Sequence, residues 1–190
     1  MNDLRRLKEK LCRELSQSEQ SAIAQPRREA RRLGDIPPAR ALHAISQHAA
    51  AVRPRLDALI EGRRASVRGV EIGRAVGEVF SLLRHFVFDR IIDTERSYRG
   101  TLLGLDHGID IVHMLAAITL RDGDEHLGMF CAEWLIERTA LVQQARAELA
   151  WFADHPEFAL QSGLRRALEP AGKALSGGGS RSSAMPALQR

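Results

Sequence analysis

Apolar residues recur at intervals of three and four along most of this chain, a period that only a helix presenting one face to a neighbour can bury. Leu4, Leu7, Leu11, Leu15, Ala22 and Ile23 set a first helix over about residues 3–24, with Pro26 restarting or kinking it. Beyond Gly34, Asp35 reads as an N-cap with Pro37 and Pro38 in the first turn. Leu42, Ile45, Val52, Leu56 and Leu59 mark a second helix ending near Gly62, with a bend at Pro54. From Val76 through Phe80, Leu83, Val87, Ile91, Tyr98, Leu102, Leu105, Ile109, Val112 and Ala116 the phase holds for a distance that would reach roughly 70 Å as one helix. A break is expected there, before Asp89 or at Gly100, Gly104 and Gly108. Asp122-Gly123-Asp124 makes a turn and cap, after which Leu127, Phe130, Trp134, Leu141, Ala145, Leu149 and Phe152 define a last long helix stopped by Pro156. A short amphipathic helix is expected over residues 158–169.

With 190 residues, 44% of them hydrophobic and only 5% aromatic, and with few β-branched runs, the chain reads as one all-α domain over residues 1–170. A disordered tail over 171–190 carries the run SGGGSRSS. The first ten residues are charged, and no uncharged stretch approaches the ~18 residues of a membrane span, so a soluble cytoplasmic protein with no membrane partner is expected. Cys12 and Cys131 sit among apolar neighbours and suit buried thiols, not a disulfide or a zinc site. Residues 1–69 carry a net charge of +7 and residues 122–157 a net of −6, which predicts oppositely charged helices side by side.

Ionisable groups interrupt the apolar stripes. Glu19 lies four after Leu15 and four before Ile23. His48 lies three after Ile45 and four before Val52. Glu95 lies four after Ile91 and three before Tyr98, and Glu133 and Glu137 flank Trp134. Side chains so placed should project inward, where a carboxylate or imidazole needs a partner or a metal.

The helix order, the long connector after the second helix and the segment Glu95-Arg96-Ser97-Tyr98 resemble the ferritin-like four-helix bundles, in particular the small stress-induced ferritin-like proteins of bacteria. The resemblance covers roughly residues 8–150 and implies an up-and-down bundle with a long third helical region. It implies an iron or manganese site in which Glu19 and Glu95 match the single carboxylates, His48 matches the second-helix histidine, and Glu133 and Glu137 stand for the acidic pair of the last helix. Ile45, Ile136 and Ala140 occupy positions where that family has further ligands, so the site the resemblance implies is degenerate: it holds one metal, or its carboxylates pair with Arg96, Arg99 or Arg138 instead.

Other clusters have simpler readings. Asp106, Asp110 and His113, with His107 beside them, fit a solvated helix edge. Asp124, Glu125 and His126 suit a helix start. His43 and His85 are isolated, and Tyr98 is expected to hold Glu95 by a hydrogen bond. Gly73-x-x-x-Gly77 and Gly100-x-x-x-Gly104 would permit close helix approach. Phosphate loops, catalytic Ser/His/Asp orders and Cys-x-x-Cys pairs are absent from the sequence.

The leading expectation is a non-catalytic bundle, without catalytic residues or a cofactor, acting in protein association or stress response and forming a homodimer. The competing reading is an iron- or manganese-binding bundle with oxidase-type chemistry. The weakest is a nucleic-acid-associated protein using Arg27, Arg28, Arg31, Arg32, Arg63, Arg64 and Arg68, since no docking motif or aromatic-lined basic face supports it.

Overall fold

A computed structural model describes residues 2–65 and 93–161, with side chains in the first stretch running from 3 to 61. Every element among these residues is a helix: α1 (Asn2–Leu33), α2 (Pro37–Ala65), α3 (Thr94–Asp122), α4 (Glu125–Ala147), α5 (Leu149–Asp154) and α6 (Pro156–Ala159).

Several boundaries differ from expectation, each for a local reason. α1 does not end near residue 24 but runs through Pro26 to Leu33. The proline is buried, and the next helix helps to satisfy the backbone beside it: Ser46 Oγ donates to the Ile23 carbonyl at 2.8 Å. At the start of α2 the Ile36 carbonyl accepts from the N–H groups of Ala39 and Arg40. Asp35 is thus not the cap, and its carboxylate accepts from Arg40 instead, at 2.9 Å. α2 continues through Pro54 and past Gly62. α3 passes through Gly100, Gly104 and Gly108 without a break and begins at Thr94. The alternative break before Asp89 lies outside the described residues, as do Gly73-x-x-x-Gly77, His85, most of 158–169 and the tail from 171. The turn at Asp122-Gly123-Asp124 forms as read: Gly123 adopts φ 72° and Asp124 accepts from the Leu127 N–H. The last long helix is interrupted at Glu148, where α4 gives way to α5.

The first four helices form a square. α1 packs on α2 and α3, and α4 packs on the same two, so α1 faces α4 across one diagonal. Gly108 lies against Ser18 while Gly104 approaches Gln25, which makes α1 and α3 antiparallel. His48 meets Arg138 and Arg55 meets Glu133, which makes α2 and α4 antiparallel. With hairpins at Gly34 and Gly123, the order is up-down-down-up, so α2 finishes and α3 begins at opposite ends of the bundle. The expected charge pairing is present: Lys8 of α1 binds Asp122 and, at 3.1 Å, Asp124, and Arg55 of α2 binds Glu133 of α4.

The core is two apolar clusters. One gathers Ala22, Leu33, Leu42, Ile45, Tyr98, Leu102, Val142 and Phe152. The other gathers Leu11, Leu15, Leu56, Val112, Leu115, Phe130 and Trp134, together with the buried thiols Cys12 and Cys131. α3 is the one described helix long and apolar enough to cross a membrane, and 44% of its apolar window is buried among the other helices.

Candidate functional site: a polar layer between two half-cores

Each bundle helix passes from one apolar cluster to the other through a single level of the fold. α1 has Glu19 there, α2 has His48, α3 has Gly108 and α4 has Arg138. Glu19 is 0% exposed and Arg138 1%, so a carboxylate and a guanidinium sit together in the bundle interior. Arg138 Nη2 donates to Glu19 Oε2 at 2.8 Å across the diagonal, and its Nε donates to His48 Nδ1 at 3.1 Å. Its guanidinium lies over the Trp134 ring, 4.7 Å from the centroid. A cation stacked on an indole face and held by a carboxylate recovers part of the cost of leaving water.

Because Nδ1 of His48 accepts from an N–H that is always protonated, the imidazole is neutral with its proton on Nε2. Nε2 lies 3.0 Å from Oε2 of Glu137, whose side chain is 66% exposed, so the layer reaches the surface at that carboxylate. Burial, and then the charge of Arg138, push the His48 pKa down, against a weaker upward pull from Glu137. Burial pushes Glu19 up, opposed by Arg138. The indole N–H of Trp134 faces the Glu19 carboxylate and favours its charged form, yet its geometry falls short of a hydrogen bond. Glu19 Oε1, Trp134 Nε1 and His48 Nε2 are all buried without one, the 3.0 Å approach of His48 Nε2 to Glu137 being a charge contact whose angle falls short of a hydrogen bond.

The structure brings together two of the five sequence candidates, Glu19 and His48, and adds Glu137 only at the rim. Glu95 does not point into the core. It lies in the first turn of α3, one residue away from the buried Thr94, and takes Arg99 in a 2.7 Å ion pair. Tyr98 therefore does not hold Glu95: its hydroxyl donates to the Ala145 carbonyl at 2.7 Å, in the last turn of α4. Glu133 is half exposed and bound to Arg55. α4 turns Phe130, Trp134 and Arg138 inward, which places Glu133 and Glu137 outside. Among the described residues no three His, Cys, Asp or Glu side chains gather as a metal-binding group. Of the three arginines that the sequence offers as partners for the carboxylates, Arg138 takes Glu19 and Arg99 takes Glu95, but the burial of Arg138 in the core was not read. Its one signal was its position four after Trp134 and four before Val142.

Asp106 pairs with Arg146 at 2.6 Å, and Asp110 and His113 are exposed, as a solvated edge requires. Arg32 is turned to Glu29 and the Thr94 carbonyl, whereas Arg27, Arg28 and Arg31 are exposed; Arg63, Arg64 and Arg68 lie outside the described side chains. Comparison of the chain with protein-family models, with curated proteins and with solved structures finds no match.

Proposed function

We propose that this chain is a non-catalytic association protein of the ferritin-like kind, in which an arginine stands where a metal centre would be. The observation that carries this reading is the Arg138 guanidinium between Glu19 and His48 in the middle of the bundle. A fixed cation there balances the charge of the carboxylate and occupies the space a metal ion needs. The up-down-down-up order with one long connector supports the ferritin-like assignment. Association is supported by large apolar side chains on the outside, with Leu103, Leu120 and Ile136 exposed by 71%, 89% and 74%. A homodimer is the form proposed, and the stress-related role follows from the family resemblance alone.

Mass spectrometric metal analysis of untagged protein prepared without chelator, with light scattering on the same sample, tests this. Iron and manganese far below one per chain, in a dimer, are expected for both wild type and Glu19→Ala. Near-stoichiometric metal lost in Glu19→Ala would transfer the reading to an oxidase-type metalloprotein, and a monomer at micromolar concentration would remove the dimer.

A second reading has its own observation. Arg6, Arg13, Arg27, Arg28 and Arg31 are all exposed, and at 100° per residue they fall within an arc of about 100° on the outer face of α1. That face carries no aromatic side chain for base stacking, so the partner it fits is the phosphate backbone of duplex nucleic acid. Five phosphate contacts predict a log–log salt slope of about −4.5, and Arg27→Gln/Arg28→Gln/Arg31→Gln should shrink it by about 2.7. An unchanged slope in that variant, or no binding to a random duplex at low salt, would end this reading.

A further inference from the structure

The polar layer has one titratable member whose two protonation states make incompatible contacts. We propose that His48 is an acid-sensitive latch that ties α2 to Arg138 when neutral and releases it to the Glu137 carboxylate at the rim when protonated. The inference deepens the reading in which Arg138, and not a metal, fills the layer, and it assigns that layer a regulation.

Neutral His48 accepts the Arg138 Nε–H at 3.1 Å. A proton taken from solvent onto Nδ1 turns that nitrogen into a donor, so two N–H groups and two positive charges then face each other in a nearly dry layer. Arg138 is held elsewhere by Glu19 and by the Trp134 ring, whereas His48 Nε2 makes no hydrogen bond and has the Glu137 carboxylate 3.0 Å away on its outer side. The side chain that moves is therefore the imidazole, outward, where its charge forms an ion pair with a carboxylate in contact with water. From α4 His48 faces Arg138 and Glu137, and from α1 Glu19 stands behind the guanidinium. On α2 itself Arg53 is engaged with Asp57, the Ser16 carbonyl and Gln20. α3 presents Gly108 at this level, and no α3 side chain contributes to the His48 titration.

The layer separates the two apolar half-cores, so moving His48 from Arg138 to Glu137, both on α4, loosens the buried layer while α2 stays tied to α4 at the rim and neither cluster dissolves. The downward push on His48 sets the sign: its contribution to stability is complete above the ordinary histidine value of about 6.5 and is lost as pH falls through the lower folded value.

Trp134 reports on the latch because Arg138 lies over its ring, and Trp151→Phe removes the only other tryptophan, which stacks on His155 at 4.0 Å. In that background, with chelator present, Trp134 emission is expected to titrate with a midpoint below about 6.5, while far-ultraviolet circular dichroism stays constant. His48→Gln, which can accept from Arg138 and donate to Glu137 at any pH, should abolish the transition. Emission that is flat from about pH 8 to about pH 5, or that titrates unchanged in His48→Gln, would overturn the latch. Nitrogen-resolved histidine spectra of the wild type serve if the variant misfolds: the Nε2–H tautomer at neutral pH is expected, and the Nδ1–H tautomer would overturn it. Failure here with a metal-free protein would leave the proposed function standing; bound metal would defeat that reading first.

Discussion

Arg138→Met is expected to cost about 3–5 kcal/mol at neutral pH, the penalty for leaving a fully buried carboxylate without its counter-charge. Methionine keeps most of the stem volume, so the loss comes mainly from Glu19 and only secondarily from the contact with the Trp134 ring. Two features set this apart from simple cavity damage. Without Arg138 the Glu19 pKa should rise further, and a carboxyl raised in the folded state lends stability below its unfolded value that is lost as pH rises through the folded one. The deficit should therefore shrink as pH is lowered toward about 4.5. In addition, Glu19→Leu/Arg138→Met should recover most of the loss, because replacing both partners by apolar groups removes the desolvation cost with the attraction. Chemical denaturation of the four proteins of this double-mutant cycle checks both points. A double variant as unstable as the sum of the singles would mean that Glu19 and Arg138 act separately.

Gly108→Val is expected to cost about 1–3 kcal/mol by overpacking. A Cβ at this position would stand 2.8 Å from Ser18 Oγ and 3.9 Å from both Ser18 Cβ and the Trp134 ring, so the Ser18 side chain and the indole fill the space beside α3 here. A rotation of Ser18 can make room for one methyl group but not for the branched side chain. Gly104 lies one helical turn earlier and provides the contrast: its nearest neighbour would be Gln25 Oε1 at 4.0 Å, in open surroundings. Gly104→Ala should stabilise by up to about 1 kcal/mol through helix propensity alone. Thermal unfolding of both variants decides the matter, and a Gly108→Val protein as stable as wild type would refute the close approach.

The parts of this fold that could be read in advance were those where one face of a helix differs sharply from the other. α1 is such a helix, and Glu19 was placed inward correctly from its spacing to Leu15 and Ile23. His48 followed in the same way from Ile45. α4 is apolar nearly all round, with Met129 and Ile136 exposed and Phe130 and Trp134 buried, so its stripe has no unique phase. A shift of one residue, about 100° of rotation, separates a core lined by Glu133 and Glu137 from one lined by Arg138. Glu95 failed by the same step: Thr94, Ser97 and Tyr98 carry the buried face of α3, and the carboxylate beside them takes Arg99. The continuity of α1 through Pro26 was hidden for another reason. A proline tells what the local backbone lacks, whereas Ser46, twenty residues away, belongs to a different helix.

That mid-helix proline bears on how the molecule comes together during synthesis. A lone peptide with the sequence of α1 would favour ending before Pro26, because the ring removes a donor and crowds the preceding turn. Residues 27–33 therefore rely on helices that arrive later from the ribosome: Ser46 of α2 donates to the Ile23 carbonyl, Ser97 of α3 donates to Glu29, and Arg32 donates to the Thr94 carbonyl. Arg27, Arg28 and Arg31 line up with Arg6 and Arg13 only once those partners have folded. The continuous arginine edge is a property of the assembled bundle, and an incomplete nascent chain does not display it.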